Sequence, residues 1–415
     1  MKNDLSRLME RENIDAIWIL GAATHNPAMM YFTGEVHVSF ADLILKRGEE
    51  PVIFCNPMER DEAAGTGLKV VNTAKFDFLK LLDEAGGDQN KAEAQIRKIM
   101  FDELGITKGR ISVYGKIDLS SQISVFSELA KLLPEIQFIG EGDLSILLEA
   151  RATKDENEIQ RIRKMGEITT DVVRKTAAFL QGCKVRDDEV LLNKNATLVT
   201  VGQVKTKINF WLAERGVENP EGTIFAIGRD AGVPHSAGKP EDEIRLGKTI
   251  IFDIFPQESG GGYFFDFTRT WCLGYAPDAE TRLHQDVLSV YQTIMEELES
   301  DRWAPDYQER TCELFEAQEH KTIRQDHQLQ SGYVHDVGHG LGLNVHERPW
   351  FSKKAGPEDS LVPGSVVTIE PGLYYPEKGM GCRLENTVYV NSDGKMEVLG
   401  NYPYDLVLPM EHWKA

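Results

Sequence analysis

The chain has 415 residues, of which 41% are hydrophobic and 27% are charged, so it can bury a sizeable core and is long enough for two domains. Its net charge of −20 disfavours nucleic acid and anionic membranes as partners. The sequence predicts no secretory signal, and no run of about 18 apolar residues predicts a membrane span. The five cysteines are scattered and form no CxxC pair, which is typical of a reducing compartment, so we expect a cytoplasmic protein.

The first 150 residues alternate between strand and helix patterns. The stretch "DAIWILGA" (15–22) contains a continuous apolar run, as expected of a buried strand. The stretch "DLILKRGEEPVIFC" (42–55) has two apolar runs around a polar turn, which predicts a hairpin. The pattern then predicts, in chain order, helices near 76–84 and 89–104, a strand at 110–115, a helix at 120–133, a strand at 136–140 and a helix that ends near 150. This alternation predicts an α/β domain over residues 1–150.

A change of pattern at about 150–154 marks the predicted domain boundary, so we expect a second domain over residues 151–415. Thr153 and Glu156 have the spacing of a capping box and precede a long amphipathic pattern, which predicts the start of a helix. Beyond it the patterns predict helices over 188–215, a strand at 223–228, helices near 278–300 and 306–328, and a strand-rich C-terminal block.

Two acidic residues interrupt apolar strand patterns in the segment 248–274. Asp253 lies in "IIFDIF" and Asp266 in "YFFDFT", and the turn-forming sequence "ESGGG" lies between them. The point midway between the two aspartates falls inside that turn. If the segment folds as a hairpin about this point, the aspartates lie opposite each other on one face.

The segment "SVVTIEPGLYYPEKGMGCRLENTVYV" (365–390) repeats this arrangement. Glu370 ends the run "SVVTIE", Glu385 lies in "CRLENTVYV", and the point midway between them falls in "PEKG". A second hairpin with two facing carboxylates is therefore predicted. Buried carboxylates are costly, and adjacent ones cost more, so four together favour bound cations. Their hard oxygen atoms suit divalent metal ions.

A histidine-rich stretch, "YVHDVGHGLGLNVHE" (333–347), lies between the two hairpins. It contains His335, His339 and His346 among glycines that allow close approach of backbone and metal. Any of the three could supply the nitrogen ligand that borderline metals use, and the spacing does not select among them. His235, in "AGVPHSAG" after a predicted strand, is a weaker candidate.

The motifs "YFFDFTRT", "GHGLGLNVHE", "TIEPGLYYPEKG" and "GCRLENTVYV" together resemble those of the pita-bread metallopeptidases. Within that group the chain is similar to the proline-specific branch, which comprises aminopeptidase P and the Xaa-Pro dipeptidases, or prolidases. The resemblance covers essentially the whole chain. It implies an α+β fold in which an α/β creatinase-type N-terminal domain precedes a pita-bread catalytic domain.

The resemblance also implies a pair of divalent metal ions, and it selects one of the three clustered histidines as a ligand. The implied ligands are Asp253, Asp266, His339, Glu370 and Glu385. Because most of the ligand atoms are oxygens, Mn²⁺ is the expected metal, with Co²⁺ or Zn²⁺ as alternatives.

Further roles follow from the same resemblance. Glu370 is the implied general base, and His235 and His346 are implied to contact substrate and to stabilise the tetrahedral intermediate. His335 is implied to line the substrate pocket, with Arg383 near it. The implied reaction is hydrolysis, by a metal-activated water, of the bond between an N-terminal residue and proline. Dipeptide and oligopeptide substrates both remain open, and a homodimer is expected.

Three alternatives use the same scaffold. A non-hydrolytic binding protein and a metal-free, creatinase-like C–N hydrolase are both disfavoured because all five implied ligands are present. A methionine aminopeptidase is disfavoured because those enzymes usually lack so large an N-terminal domain. The sequence therefore favours a metal-dependent Xaa-Pro peptidase.

Overall fold

The computed structural model describes residues 4–413. The chain divides into two compact units. The first comprises the chain up to Arg151 together with Gly260–Gly262, and the second comprises Ala152–Ser259 and the chain from Tyr263 onward. That these units are the two predicted domains stays a prediction. Gly260–Gly262 group with the first unit, although the sequence analysis placed them in the second domain. Within the described residues, no helix combines the length and the apolar character that crossing a membrane requires.

A six-stranded mixed sheet forms the centre of the first unit, with the order β4-β3-β2-β1-β5-β6. Its strands are β1 (Ala16–Gly21), β2 (Ala41–Lys46), β3 (Val52–Cys55), β4 (Lys69–Asn72), β5 (Gly109–Lys116) and β6 (Ile136–Ile139). The helices of this unit are α1 (Leu5–Arg11), α2 (Pro27–Thr33), α3 (Arg60–Gly65), α4 (Phe78–Glu84), α5 (Gln89–Glu103), α6 (Leu119–Leu132) and α7 (Ile146–Arg151). The predicted strands and helices are confirmed within a few residues, and β2 and β3 pair as the predicted hairpin.

The core of this unit forms around the central strand β1. Every residue of β1 is buried, which explains why its sequence is apolar without alternation. The Trp18 ring packs against Phe101 of α5 and Phe126 of α6, with ring centroids 5.3 and 5.1 Å away. Its indole N–H donates a hydrogen bond to Asp42 Oδ1 on the neighbouring strand at 2.9 Å, so the buried polar atom is satisfied.

The long helix α8 (Glu156–Gln181) begins the second unit. Its N-cap is Asp155, which accepts a hydrogen bond from the Glu158 backbone N–H, while the Glu158 side chain accepts from the Asp155 N–H. A capping box is therefore present, but the predicted pair of Thr153 and Glu156 is wrong by two residues. Thr153 instead takes part in an isolated β-bridge, and this extended backbone cannot belong to the helix.

The prediction of helices throughout residues 188–215 is wrong in its first half. That part contains the short strand β8 (Leu191–Leu192), which pairs with β7 (Lys184–Val185), and a turn. The Asn193 side chain accepts hydrogen bonds from the backbone of the turn, so the polar residues stabilise a turn instead of a helix. The helix α9 covers only Val201–Ala213.

Two further helices, α10 (Asp278–Glu297) and α11 (Pro305–Ala317), follow the predicted order. The second ends well before the predicted position 328. Glu319 has a φ of 67°, in the left-handed region, and the N–H of His320 bonds back to the Phe315 carbonyl. This local arrangement closes the helix.

Two sheets and a separate ribbon complete the second unit. The first sheet has the order β10-β11-β13-β21, the second β15-β14-β16-β19-β20, β17 pairs with β18 as the ribbon, and β12 pairs with β9. The strands are β9 (Val217–Glu218), β10 (Thr223–Ile227), β11 (Thr249–Ile254), β12 (Gln257–Glu258), β13 (Phe267–Leu273), β14 (His339–Gly340), β15 (Glu347–Trp350), β16 (Val366–Ile369), β17 (Gly372–Tyr375), β18 (Met380–Arg383), β19 (Asn386–Val390), β20 (Met396–Leu399) and β21 (Val407–Leu408). Apolar side chains of α10, α11, the second sheet and the ribbon form one buried cluster.

The predicted register of the second hairpin is confirmed by both of its ladders. Gly372 pairs with Arg383 in the ribbon, and Ile369 pairs with Asn386 in the sheet, so the same offset holds on either side of the two glutamates. Glu370 and Glu385 fall at the break between these ladders, where the Glu370 N–H bonds to the Val337 carbonyl and the Glu385 N–H bonds to the Thr268 carbonyl of β13. Each strand therefore passes from the sheet to the ribbon at its glutamate, and the two glutamates remain opposite each other in the same register.

The predicted register of the first hairpin is wrong by two residues. Asp253 lies opposite Thr268, and Asp266 precedes β13. The connecting segment forms the short strand β12 and a β-bridge between Gln257 and Phe264. In the predicted hairpin these residues would have continued the pairing of β11 with β13. Because side chains alternate between faces of an extended chain, a shift of two residues leaves Asp266 on the predicted face.

Candidate metal centre

The five predicted metal ligands lie at strand ends of the second unit. Asp253 lies in β11, Asp266 just before β13, His339 at the start of β14, Glu370 just after β16, and Glu385 between β18 and β19. Ligand atoms of Asp266, His339 and Glu385 all lie within 4.8 Å of one another. Glu370 adjoins this group, since its Oε1 is 3.3 Å from His339 Nε2.

The site contains carboxylate oxygens without hydrogen-bond partners. Among the residues that the structure describes, Asp253 Oδ1, Asp266 Oδ1 and Glu385 Oε1 are buried and unpartnered. Burial raises the pKa of Asp266 well above its ordinary range, and the negative charge of Asp253 raises it further. Burial and then the charge of Asp266 raise the pKa of Glu385 in the same way. Burying carboxylate oxygens without a partner costs free energy unless a cation binds them. The donor set therefore fits divalent metal ions.

His339 and Glu370 form a close pair within this cluster. Burial alone would lower the pKa of His339, but its hydrogen bond to Glu370 and the opposite charge outweigh this and raise the pKa to about 9. Burial opposes ionisation of Glu370, yet the same contact lowers its pKa to about 2. Glu370 is therefore ionised at neutral pH.

Arg383 connects the cluster to a second polar group. Its Nη2 donates to Asp253 Oδ2 at 2.5 Å, and its Nη1 donates to the Tyr374 hydroxyl at 2.7 Å. The Tyr374 hydroxyl also lies 2.8 Å from His335 Nε2. Because His335 Nδ1 lies 2.7 Å from the backbone carbonyl of Asp336, it must carry the proton, and Nε2 then accepts from Tyr374. Burial lowers the pKa of His335 to about 4, which agrees with this neutral form.

Sequence reasoning missed two residues of the site, Thr268 and Tyr374. The Thr268 hydroxyl donates to Glu385 Oε2 at 2.6 Å, and its carbonyl accepts from the Glu385 N–H at 3.1 Å. Thr268 therefore joins the two hairpins. A signal was present in the sequence, because Thr268 is two residues beyond Asp266 and so shares its face.

The remaining predicted histidines lie beside the cluster. The His346 ring centroid is 4.2 Å from that of His339. Desolvation, with the charge of His339, lowers the pKa of His346 to about 4. His235 lies in the turn after β10 with an exposed side chain, and it is close enough to His335 and His346 to interact electrostatically with both. His346 and His235 therefore both lie near the predicted site.

The sequence pattern of metallopeptidase family M24 matches residues 160–392, which is more than half of the chain. The chain belongs to metallopeptidase family M24. All of the predicted ligand positions and all four of the site histidines lie within the matched range. Membership makes this M24 protein a metal-dependent peptidase and implies divalent metal ions, as the sequence analysis expected.

Curated relatives of this M24 peptidase carry a more specific name. An Xaa-Pro dipeptidase of Pyrococcus horikoshii is 25% identical over 394 residues, which cover 93% of each chain. An Xaa-Pro dipeptidase of Pyrococcus furiosus is 25% identical over 280 residues, which cover 65% of this chain and 75% of the relative.

Solved structures agree in fold. The prolidase of Pyrococcus horikoshii superposes with a TM-score of 0.70 at 21% identity, covering 97% of this chain and 99% of the other. The X-Pro aminopeptidase of Thermotoga maritima superposes with a TM-score of 0.69 at 22% identity, covering 98% and 99%. The predicted α+β pita-bread fold and the family resemblance are confirmed.

Proposed function

We propose that this M24 peptidase hydrolyses the bond between an N-terminal residue and proline, with a pair of divalent metal ions. One observation carries the metal part of the proposal: three buried carboxylate oxygens, on Asp253, Asp266 and Glu385, have no hydrogen-bond partner among the described residues. The names of the two Pyrococcus relatives support proline specificity.

The side chains that would hold the ions are those of the cluster, Asp253, Asp266, His339, Glu370 and Glu385. Four carboxylates and one imidazole make an oxygen-rich donor set, so Mn²⁺ is the first candidate and Co²⁺ or Zn²⁺ are alternatives. Bound ions of this kind supply Lewis acidity and lower the pKa of water toward neutrality.

The chain's own groups have distinct parts in this proposal. Glu370 is ionised and can accept a proton as general base. His346 is neutral at pH 7, and its N–H can donate to the oxygen that becomes negatively charged in the transition state. His235, in the turn after β10, is exposed and can contact the substrate.

Arg383 and His335 position groups around the reacting bond. By binding Asp253 Oδ2, Arg383 orients that carboxylate and leaves Oδ1 for a metal ion. Through Tyr374, the same guanidinium connects to His335, which we assign to the wall of the substrate pocket. A rigid proline ring suits a preformed pocket of aromatic and imidazole side chains.

Two classes of substrate remain within the proposal, Xaa-Pro dipeptides and longer Xaa-Pro peptides. A homodimer, in which the N-terminal domain helps to shape the neighbouring site, stays a prediction from the resemblance.

The decisive experiment compares hydrolysis rates after Mn²⁺ loading on an Xaa-Pro dipeptide, an Xaa-Pro-Xaa tripeptide and the matched Xaa-Ala peptides. We expect cleavage of the proline peptides and much slower cleavage of the alanine controls. Cleavage of the dipeptide alone identifies a dipeptidase. Equal rates on proline and alanine peptides, or no cleavage of either, would refute proline specificity.

A further inference from the structure

The chain segment that carries His335 has little regular secondary structure to hold it. Residues 334–338 belong to neither a helix nor a strand. Their backbone N–H and C=O groups therefore depend on partners from other parts of the fold. One side chain, Gln308 of α11, is the partner of two of these backbone groups.

Gln308 uses both ends of its amide group on this segment. Its Oε1 accepts hydrogen bonds from the Val337 N–H and the Tyr333 hydroxyl, each at 2.7 Å. Its Nε2 donates to the His335 carbonyl at 3.3 Å. Gln308 is only 9% exposed, so water cannot readily replace these bonds. The glutamine thus restrains the backbone on both sides of Asp336.

Val337 extends this restraint to the metal cluster. Its carbonyl accepts a hydrogen bond from the Glu370 N–H at 2.7 Å. The Glu370 carboxylate in turn contacts His339 Nε2 at 3.3 Å, and His339 follows Val337 by two residues. A displacement of the Val337 peptide would therefore move Glu370 and His339 relative to each other.

The helix that carries Gln308 is itself firmly packed. Tyr307, Cys312 and Phe315 of α11 are almost completely buried, and they belong to the same apolar cluster as Tyr333 and Val337. The packing of α11 therefore fixes the position of Gln308, and both the donor and the acceptor of its amide group bond to the neighbouring segment.

We propose that Gln308 is a positioning residue of the metal centre, one that holds the 333–339 segment so that His335, His339 and Glu370 keep their mutual geometry. The proposal rests on the proposed function for the identity of the metal ligands. It adds a residue that contacts neither metal nor substrate and acts through the Val337 peptide.

The test uses the full chain with the substitution Gln308→Met, which keeps the side-chain length and removes both hydrogen-bonding ends. Isothermal titration with Mn²⁺ measures the metal affinity, and hydrogen–deuterium exchange of the metal-free protein measures protection of peptides covering 333–339. We expect the affinity to fall by about 10–100-fold, as for other residues that orient metal ligands, and exchange to accelerate in this segment. The matched control is Gln318→Met, because Gln318 bonds Ser289 Oγ of α10 and not the 333–339 segment, so both measurements should stay unchanged.

Two further variants keep the test decisive if Gln308→Met does not fold. Gln308→Glu retains an oxygen acceptor for Val337 and Tyr333 but places a second oxygen against the His335 carbonyl, so its affinity should also fall below that of wild type. Tyr333→Phe removes one hydroxyl and leaves the Val337 contact, so its affinity should stay close to wild type. Wild-type affinity and exchange in Gln308→Met, or in Gln308→Glu if only that variant folds, would overturn the proposal.

The outcomes separate this inference from the proposed function. If the wild-type protein binds Mn²⁺ but does not cleave Xaa-Pro peptides, the specificity proposal fails, while the affinity and exchange comparison still decides the role of Gln308. If wild type cleaves Xaa-Pro peptides and Gln308→Met behaves like wild type, only the positioning role is refuted.

Discussion

Arg383 donates from Nη2 to Asp253 Oδ2 at 2.5 Å, and both side chains are buried. One oxygen of the aspartate is therefore neutralised by the protein, and the other, Oδ1, is left without a partner among the described residues. Asp253 can therefore lie in an apolar strand, because Arg383 pairs with one of its oxygens and a metal ion would bind the other.

Arg383→Met should destabilise the metal-free protein strongly. Removing one partner of a buried ion pair leaves the other charge uncompensated and typically costs about 3–5 kcal/mol. The measurement is the denaturation midpoint of the metal-free variant. The control is Arg310→Met, which removes an ion pair with Glu297 whose side chains are 35% and 32% exposed, and it should cost about 1 kcal/mol or less. Equal shifts in the two variants would contradict the prediction.

Asp266→Asn should weaken Mn²⁺ binding and, at neutral pH, stabilise the metal-free protein. Burial and the charge of Asp253 raise the pKa of Asp266, so its ionised form is unfavourable in the absence of a cation. A neutral amide removes that cost. Thermal unfolding with and without Mn²⁺ measures both effects, and we expect a higher metal-free Tm with a smaller metal-induced rise. Asp306→Asn, on the exposed side of α11, should change neither quantity. A metal-induced rise of wild-type size in Asp266→Asn would exclude this residue as a ligand.

The metal-free protein should lose the stabilisation that the His339–Glu370 pair provides as pH rises through about 9, the raised pKa of His339. A histidine whose pKa is higher in the folded than in the unfolded state stabilises the fold below its ordinary pKa of about 6.5 and loses that contribution through the folded pKa. Glu370, whose pKa is lowered to about 2, stays ionised throughout this range, so the change with pH reports the titration of His339. The measurement is the difference in Tm between wild type and His339→Gln from pH 6 to 10. A difference that does not shrink with rising pH would refute this assignment.

Thr268→Val should reduce Mn²⁺ affinity, whereas Thr268→Ser should retain it. The hydroxyl donates to Glu385 Oε2 and so orients the carboxylate whose other oxygen is unpartnered in the described structure. Loss of such an orienting bond typically costs about 10–100-fold in metal affinity or activity. Titration of both variants with Mn²⁺ provides the comparison. The valine variant is nearly isosteric, so a similar loss in the serine variant would indicate a packing effect instead.

The sequence predicted the glutamate hairpin more accurately than the aspartate hairpin, and the reason is physical. Between Glu370 and Glu385 the chain makes one uninterrupted ribbon, so the midpoint of the two residues locates the turn. Between Asp253 and Asp266 the chain adds β12, which pairs with the distant β9, and this pairing moves Thr268 into the place opposite Asp253. A local pattern contains no information about a partner strand from elsewhere in the chain.

The start of α8 likewise depends on a contact with a distant part of the chain. The capping pattern near residue 153 was recognised, but the cap is Asp155, because Thr153 takes part in a β-bridge to Ser365. The long-range partner therefore decided which of two possible caps was used.

By itself, the sequence determined which side chains are incompatible with an apolar interior unless a cation joins them, because the cost of a buried carboxylate depends on residue type and strand pattern. It also determined the family, through the motifs around these residues. Only the tertiary structure decided the supporting contacts, such as Arg383 with Asp253, Thr268 with Glu385 and Gln308 with Val337. These contacts join residues from different elements, which local periodicity does not connect, and they become contacts only when the two sheets, the ribbon and α11 pack together.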